Sequence, residues 1–117
     1  MVSQPDVTGD HRFAAGLNLY TSGRFFECHE VWEDLWRDCP ERDRLFVQAL
    51  IHLAVAFYQY ERANREGAAL QFDKCLRKLA GYLPAYSGID TRRLSADVVQ
   101  ARDLLLNGDA LKPVPIY

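Results

Sequence analysis

His29 and Glu33 stand four residues apart in the run Phe25-Phe26-Glu27-Cys28-His29-Glu30-Val31-Trp32-Glu33-Asp34-Leu35-Trp36. On a helix that spacing stacks the two side chains one above the other, about 40° apart in projection, so both can address one target. A neutral imidazole and a carboxylate so placed are the first half of a zinc or iron site, and Glu30 lies where a general base would sit beside such a metal. The pattern H-E-x-x-E lacks the second histidine that makes the metalloprotease helix motif informative. The competing reading is a histidine at the edge of a core, its ring N–H held by Glu33 and Trp36 packed beside both.

A second group lies further along. Around Gln48, the residues Leu45, His52, Ala56, Gln59 and Ala63 fall within about 80° on a helix, a weakly polar stripe on the most apolar helix of the chain. An unsatisfied buried amide or imidazole costs roughly 1–3 kcal/mol, so Gln48 and His52 need polar partners, and His29 and Glu33 are the expected ones. The expectation is an interior cluster: His29 and Glu33 as ligands of a divalent metal such as zinc, Glu30 as catalytic base, and Gln48, His52, Phe26 and Trp36 lining the pocket. The structural alternative is a buried polar network that fixes helix register. Cys28 points about 100° away from His29, which argues against a thiolate–imidazole pair. Tyr58, Tyr60, Tyr82 and Tyr86 read as amphipathic packing. No P-loop, dinucleotide fingerprint or G-x-S-x-G is present.

The elements that must position these residues are all helical. Phe13, Leu17 and Tyr20 give one stripe over 10–20, and Gly23 supplies a left-handed turn into 24–37, where Phe25, Cys28, Val31, Trp32, Leu35 and Trp36 share a face. Pro40 suits the first turn of a third helix, expected over 40–64, apolar on nearly every side and therefore central. Asn64 to Gly67 reads as a stop, 68–82 as a fourth helix with Leu70, Phe72, Leu76, Leu79 and Leu83 inward, and Pro84 as its end. Asp90 caps a short turn carrying Leu94, and Ser95 caps a last helix over 96–106. The fold class is all-α: one bundle of about five helices around a central buried helix, a single domain over 1–117 with 1–9 and 107–117 as flexible or extended tails.

Composition sets the outer bounds. The 117 residues, 49% hydrophobic and 26% charged, are enough for one real core. A formal net charge of −2 gives no footprint for nucleic acid. No apolar run is long enough to span a membrane, and the polar start lacks the pattern of a secretory signal, so the expected compartment is the cytoplasm. Three cysteines without CxxC spacing read as reduced, packed thiols.

Taken together, Gly23 with Phe25-Phe26-Glu27-Cys28-His29-Glu30, Trp32-Glu33 and Trp36, Gln48-Ala49-Leu50-Ile51-His52 with Ala54 and Ala56, Asn64 with Gly67-Ala68, and Gly88-Ile89-Asp90 resemble the domain-of-unknown-function family 309 of small prokaryotic helical proteins. The likeness runs roughly from Leu19 to Leu94. Thr21 stands where that family often has asparagine, and His52 where glutamine is common. The resemblance implies a multihelical fold and a loosely assigned metal-dependent hydrolysis without a settled substrate. Two functions are thereby set against each other: a metal-dependent hydrolase or metal- or ligand-binding bundle acting on a small molecule, and a non-enzymatic interaction module, homodimeric in one form, whose polar cluster is structural.

Overall fold

The computed structural model describes residues 6–117. A 3₁₀ turn at Val7–Gly9 leads into five helices: α1 (His11–Thr21), α2 (Phe25–Asp38), α3 (Glu41–Glu61), α4 (Arg65–Leu79) and α5 (Thr91–Leu106), with a second 3₁₀ turn at Ala80–Tyr82. Each helix packs against its neighbours in sequence, and α3 lies in the middle between α2 and α4. The result is an elongated array of 51 × 27 × 19 Å. No described helix is long and apolar enough to cross a membrane.

Local chemistry accounts for the boundaries. The Asp10 side chain accepts from the Arg12 backbone N–H at the start of α1, and Arg12 holds this carboxyl well below its ordinary range, at about 2. The same guanidinium reaches Asp38 at the far end of α2, at 2.6 Å, tying the two helices together. Gly23, at φ 77°, makes the turn between them. α3 stops at Glu61, earlier than its pattern suggests: Ala63 takes φ 59°, and Asn64 belongs to the next helix, its side chain accepting from the Gly67 N–H at 2.9 Å. Residues 65–67, read from sequence as a stop, are therefore the first turn of α4. The short turn expected around Leu94 and the last helix expected over 96–106 are one helix, capped by Asp90 through the Arg93 N–H.

The core runs along the whole array through stacked and edge-on aromatics: Phe13 and Trp32, Trp32 and Tyr20, Tyr20 and Phe57, Phe57 and Phe72. α1 meets α2 through Gly16, where any Cβ would overlap the Trp32 ring. Trp32 is completely buried, and its indole N–H donates to the Phe13 carbonyl at 3.2 Å. Leu70 and Leu83, expected to face inward, are exposed. After a turn at residues 107–108, residues 109–117 carry no helix or strand and dock on the helices: Tyr20 donates to the Val114 carbonyl, Arg93 donates to the Pro115 and Ile116 carbonyls, and Val114 and Ile116 are buried. Of the N-terminal segment read as a tail, Val7 is buried. Residues 1–5 lie outside the described part.

Candidate functional site

Helix α2 has two working faces. Phe25, Cys28, Trp32 and Leu35 enter the core. Phe26, His29, Glu33 and Trp36, at helical spacing on the other side, lie along α3. Because α2 and α3 are joined by a short turn they run antiparallel, so Phe26 and His29 meet the late part of α3 and Trp36 the early part. The Phe26 ring is 5.4 Å from Tyr58 and 5.7 Å from His29, while the Arg44 guanidinium sits 4.1 Å above the Trp36 ring.

Phe26, His29, Val55, Tyr58 and Gln59 line a cleft of about 200 Å³. In its wall, His29 Nε2 lies 3.0 Å from Glu33 Oε1. In the neutral tautomer that donates its Nε2–H to that carboxylate, Nδ1 is the acceptor nitrogen. His29 Nδ1 is buried and has no hydrogen-bond partner. The Trp36 indole nitrogen, further along the same side of α2, is likewise buried without a partner. Buried polar atoms are nearly always satisfied, and on this helix face two are not.

The interior cluster expected from sequence is divided. Gln48, His52 and Gln59 are each half-buried. α2 and α4 flank α3 and leave a narrow outward strip between them, and the polar stripe occupies that strip instead of the interior. Positions on it lean one way or the other. Val55 and Tyr58 turn toward α2 and border the cleft, whereas His52 turns to α4: its Nδ1 lies 2.7 Å from Gln71 Oε1 and its Nε2 2.7 Å from Lys78 Nζ. Burial, then the positive charges of Lys78, Lys74 and Arg77, hold this imidazole below its ordinary pKa against the Gln71 hydrogen bond. His52 thus has no part in the His29–Glu33 pair. Gln48 does not bond to His29, whose one nitrogen is taken by Glu33 and whose other is unpartnered. Glu30 is exposed and outside the cleft lining.

A metal finds only part of what it needs. His29 and Glu33 offer two donors where a catalytic zinc normally has three protein ligands, and among the described residues no three His, Cys, Asp or Glu side chains form a metal-binding group. The thiols add nothing: burial pushes Cys28 and Cys75 up to about 12, and the half-buried Cys39 is also raised.

Sequence reasoning missed Val55, Tyr58 and Gln59 as cleft residues, although Gln59 belongs to the polar stripe and Tyr58 adjoins it. It also missed Asp43. This carboxylate, in the first turn of α3, is almost completely buried and accepts the Tyr86 hydroxyl, while its second oxygen has no hydrogen-bond partner. Burial first, and then Asp43, push the Tyr86 phenol up to about 12. An acidic residue in a helix first turn is ordinary, so nothing in the pattern marked Asp43 as buried.

The chain is 36% identical over 81 residues to the uncharacterized protein YpuF of Bacillus subtilis (strain 168), an alignment that takes in 67% of this chain and 47% of YpuF. It therefore spans about half the length of that curated relative. No solved structure matches it at comparable stringency. The family model described as Domain of unknown function (DUF309) matches residues 13–70, a stretch that holds most of α1, all of α2 and α3 and every residue of the cleft, and the chain belongs to that family.

Proposed function

We propose that this chain is a ligand-binding helical domain whose α2/α3 cleft takes a small, flat, largely apolar group carrying one hydrogen-bond donor. The observation that supports this reading is the buried, unpartnered Nδ1 of His29 in a cleft walled by Phe26, Val55 and Tyr58. Glu33 fixes the tautomer, so Nδ1 presents a lone pair, and an N–H or O–H of the ligand would satisfy it. Phe26 and Tyr58 offer ring faces to the ligand body. A volume of about 200 Å³ is below the usual range for whole ligands, roughly 300–1,000 Å³. The occupant is therefore a fragment-sized molecule or one end of a larger one.

The carboxylate-held imidazole is also half of an acid–base apparatus, because a ligand donor hydrogen-bonded to Nδ1 is placed to give up its proton there. Metal-dependent hydrolysis would need a third protein ligand that the described residues do not bring to the pair, so the reading adopted is binding. A second reading rests on the size of the cleft and on Phe26, which is 49% exposed: a single apolar side chain of a partner, or of a second copy, would fit the same space.

Titrating the protein with indole, which supplies a flat ring and one N–H, separates these readings. Saturable perturbation of Phe26, His29 and Tyr58 resonances, lost in His29→Ala, is the expected result. No saturable response at those residues would remove the proposal. A parallel titration with zinc reads the metal function, which requires chelator-reversible binding that disappears in both His29→Ala and Glu33→Ala. Sedimentation of the wild type beside Phe26→Ser reads the second-copy case.

A further inference from the structure

On the opposite flank of α3 the structure gathers positive charge without an acidic counterpart. Lys74, Arg77 and Lys78 lie in the second half of α4, Lys74 one turn before the other two. Arg12, Arg24, Arg37, Arg93 and Arg102 each pair with a carboxylate, and Arg44, Arg62 and Arg65 lie over aromatic rings. Among the described residues Lys74, Arg77 and Lys78 have neither arrangement. The positive charges of Lys74, Arg77 and Lys78 act on His52, and those of Lys74 and Arg77 on Lys78.

The C-terminal end of a helix favours positive side chains, which accounts for Arg77 and Lys78 being there. It does not account for the direction Lys78 takes. Its ammonium turns toward α3 and donates to His52 Nε2 at 2.7 Å. The ammonium settles the tautomer: Nε2 must be the acceptor, so Nδ1–H donates to Gln71 Oε1, also at 2.7 Å. Gln71 thus holds the ring, the ring holds one N–H of Lys78, and the other N–H groups of Lys78 remain for a ligand. Lys74 and Lys78 are both half-buried, so each is partly stripped of the water that would otherwise solvate it.

We propose that Lys74 and Lys78 form a binding site for a tetrahedral oxyanion of the phosphate class, with His52 positioning the Lys78 ammonium and Arg77 as an outer charge. This inference is independent of the α2/α3 cleft, since none of its residues lines it. The anion accepts charge-assisted hydrogen bonds from the two lysines and relieves their mutual repulsion. It comes either as free phosphate or as the phosphate of an ester, and the chemistry at the site is the same.

The test follows the His52 ring by NMR in protein labelled with ¹⁵N-histidine, titrated with inorganic phosphate, with glycerol 3-phosphate, and with chloride at matched ionic strength. A saturable His52 response to either phosphate and none to chloride is expected, with affinity about tenfold lower or worse in both Lys74→Gln and Lys78→Gln, since each removes a hydrogen bond to a charged group. The tighter of the two phosphates identifies the source, and either ranking upholds the site. A response that tracks ionic strength alike for chloride and phosphate, or one unchanged in both lysine variants, overturns it. Thermal melts of the variants confirm that they remain folded, as substitutions at half-buried positions should.

Discussion

Toward α1, helix α2 presents Trp32 completely buried, its indole N–H bonded to Phe13 and its ring against a glycine that leaves no room for a methyl group. Toward α3 the same helix presents His29 and Trp36, each with a buried nitrogen that nothing completes, beside a cleft and a half-exposed Phe26. One face satisfies its polar atoms and fills its space; the other does neither. A packed, satisfied face serves stability, and the unsatisfied one beside an opening is where we propose binding. His52 on α3 and His29 on α2 repeat the contrast at their rings, since His52 has partners on both nitrogens and His29 on one.

Breaking the packed face should cost most. Trp32→Ala is expected to lose about 3–5 kcal/mol of stability in urea denaturation, the range for removing a large buried aromatic. Gly16→Ala, which forces the Trp32 ring to move, is expected to lose about 1–3 kcal/mol. A loss below about 0.5 kcal/mol in either would show that the α1/α2 contact is looser than described.

Tyr86→Phe tests the same logic at one atom. It leaves the buried Asp43 carboxylate without its donor, so a loss of about 1–3 kcal/mol is expected by the same denaturation, and a neutral outcome would show that water or Arg42 already suffices. Alkaline pH probes the packed side by another route. Cys28 rises from 9.0 to about 12 on burial, as does Cys75. A raised acid stays neutral in the fold while the unfolded chain ionises, so their contribution is complete below pH 9 and is lost as pH rises toward 12. Melting temperature should fall over that interval, and less so in a Cys28→Ala, Cys75→Ala double variant measured against its own value at pH 7.

His29→Gln should have the smallest effect on stability, within about 1 kcal/mol, because its ring is already only half satisfied. It should nevertheless abolish the response of the cleft to indole. A large stability loss with binding intact would reverse the roles assigned to the two faces.

Helix content, the turn at Gly23 and the i, i+4 pairing of His29 with Glu33 were legible because they depend on spacing within one helix. Which neighbour of α3 each stripe residue meets was not. Gln48 and His52 differ by about 40° in projection, less than the arc that separates α2 from α4, so the periodicity could not say that His52 leans to α4. Likewise the stripe was expected inside because α3 is apolar overall, yet two flanking helices leave a strip of it open. The early stop of α3 hinged on Ala63 in a left-handed conformation, which alanine gives no sequence signal for. Asn64 then served as a cap where its type suggested only a break.

The most direct test of the account is the state of the two ring nitrogens of His29, read from long-range ¹H–¹⁵N spectra of histidine-labelled protein with and without indole. The free protein should show a protonated Nε2 and a bare Nδ1, and Nδ1 should shift toward the hydrogen-bonded position as indole saturates. A protonated Nδ1 in the free protein, or a bare Nδ1 that indole leaves unmoved, would contradict it.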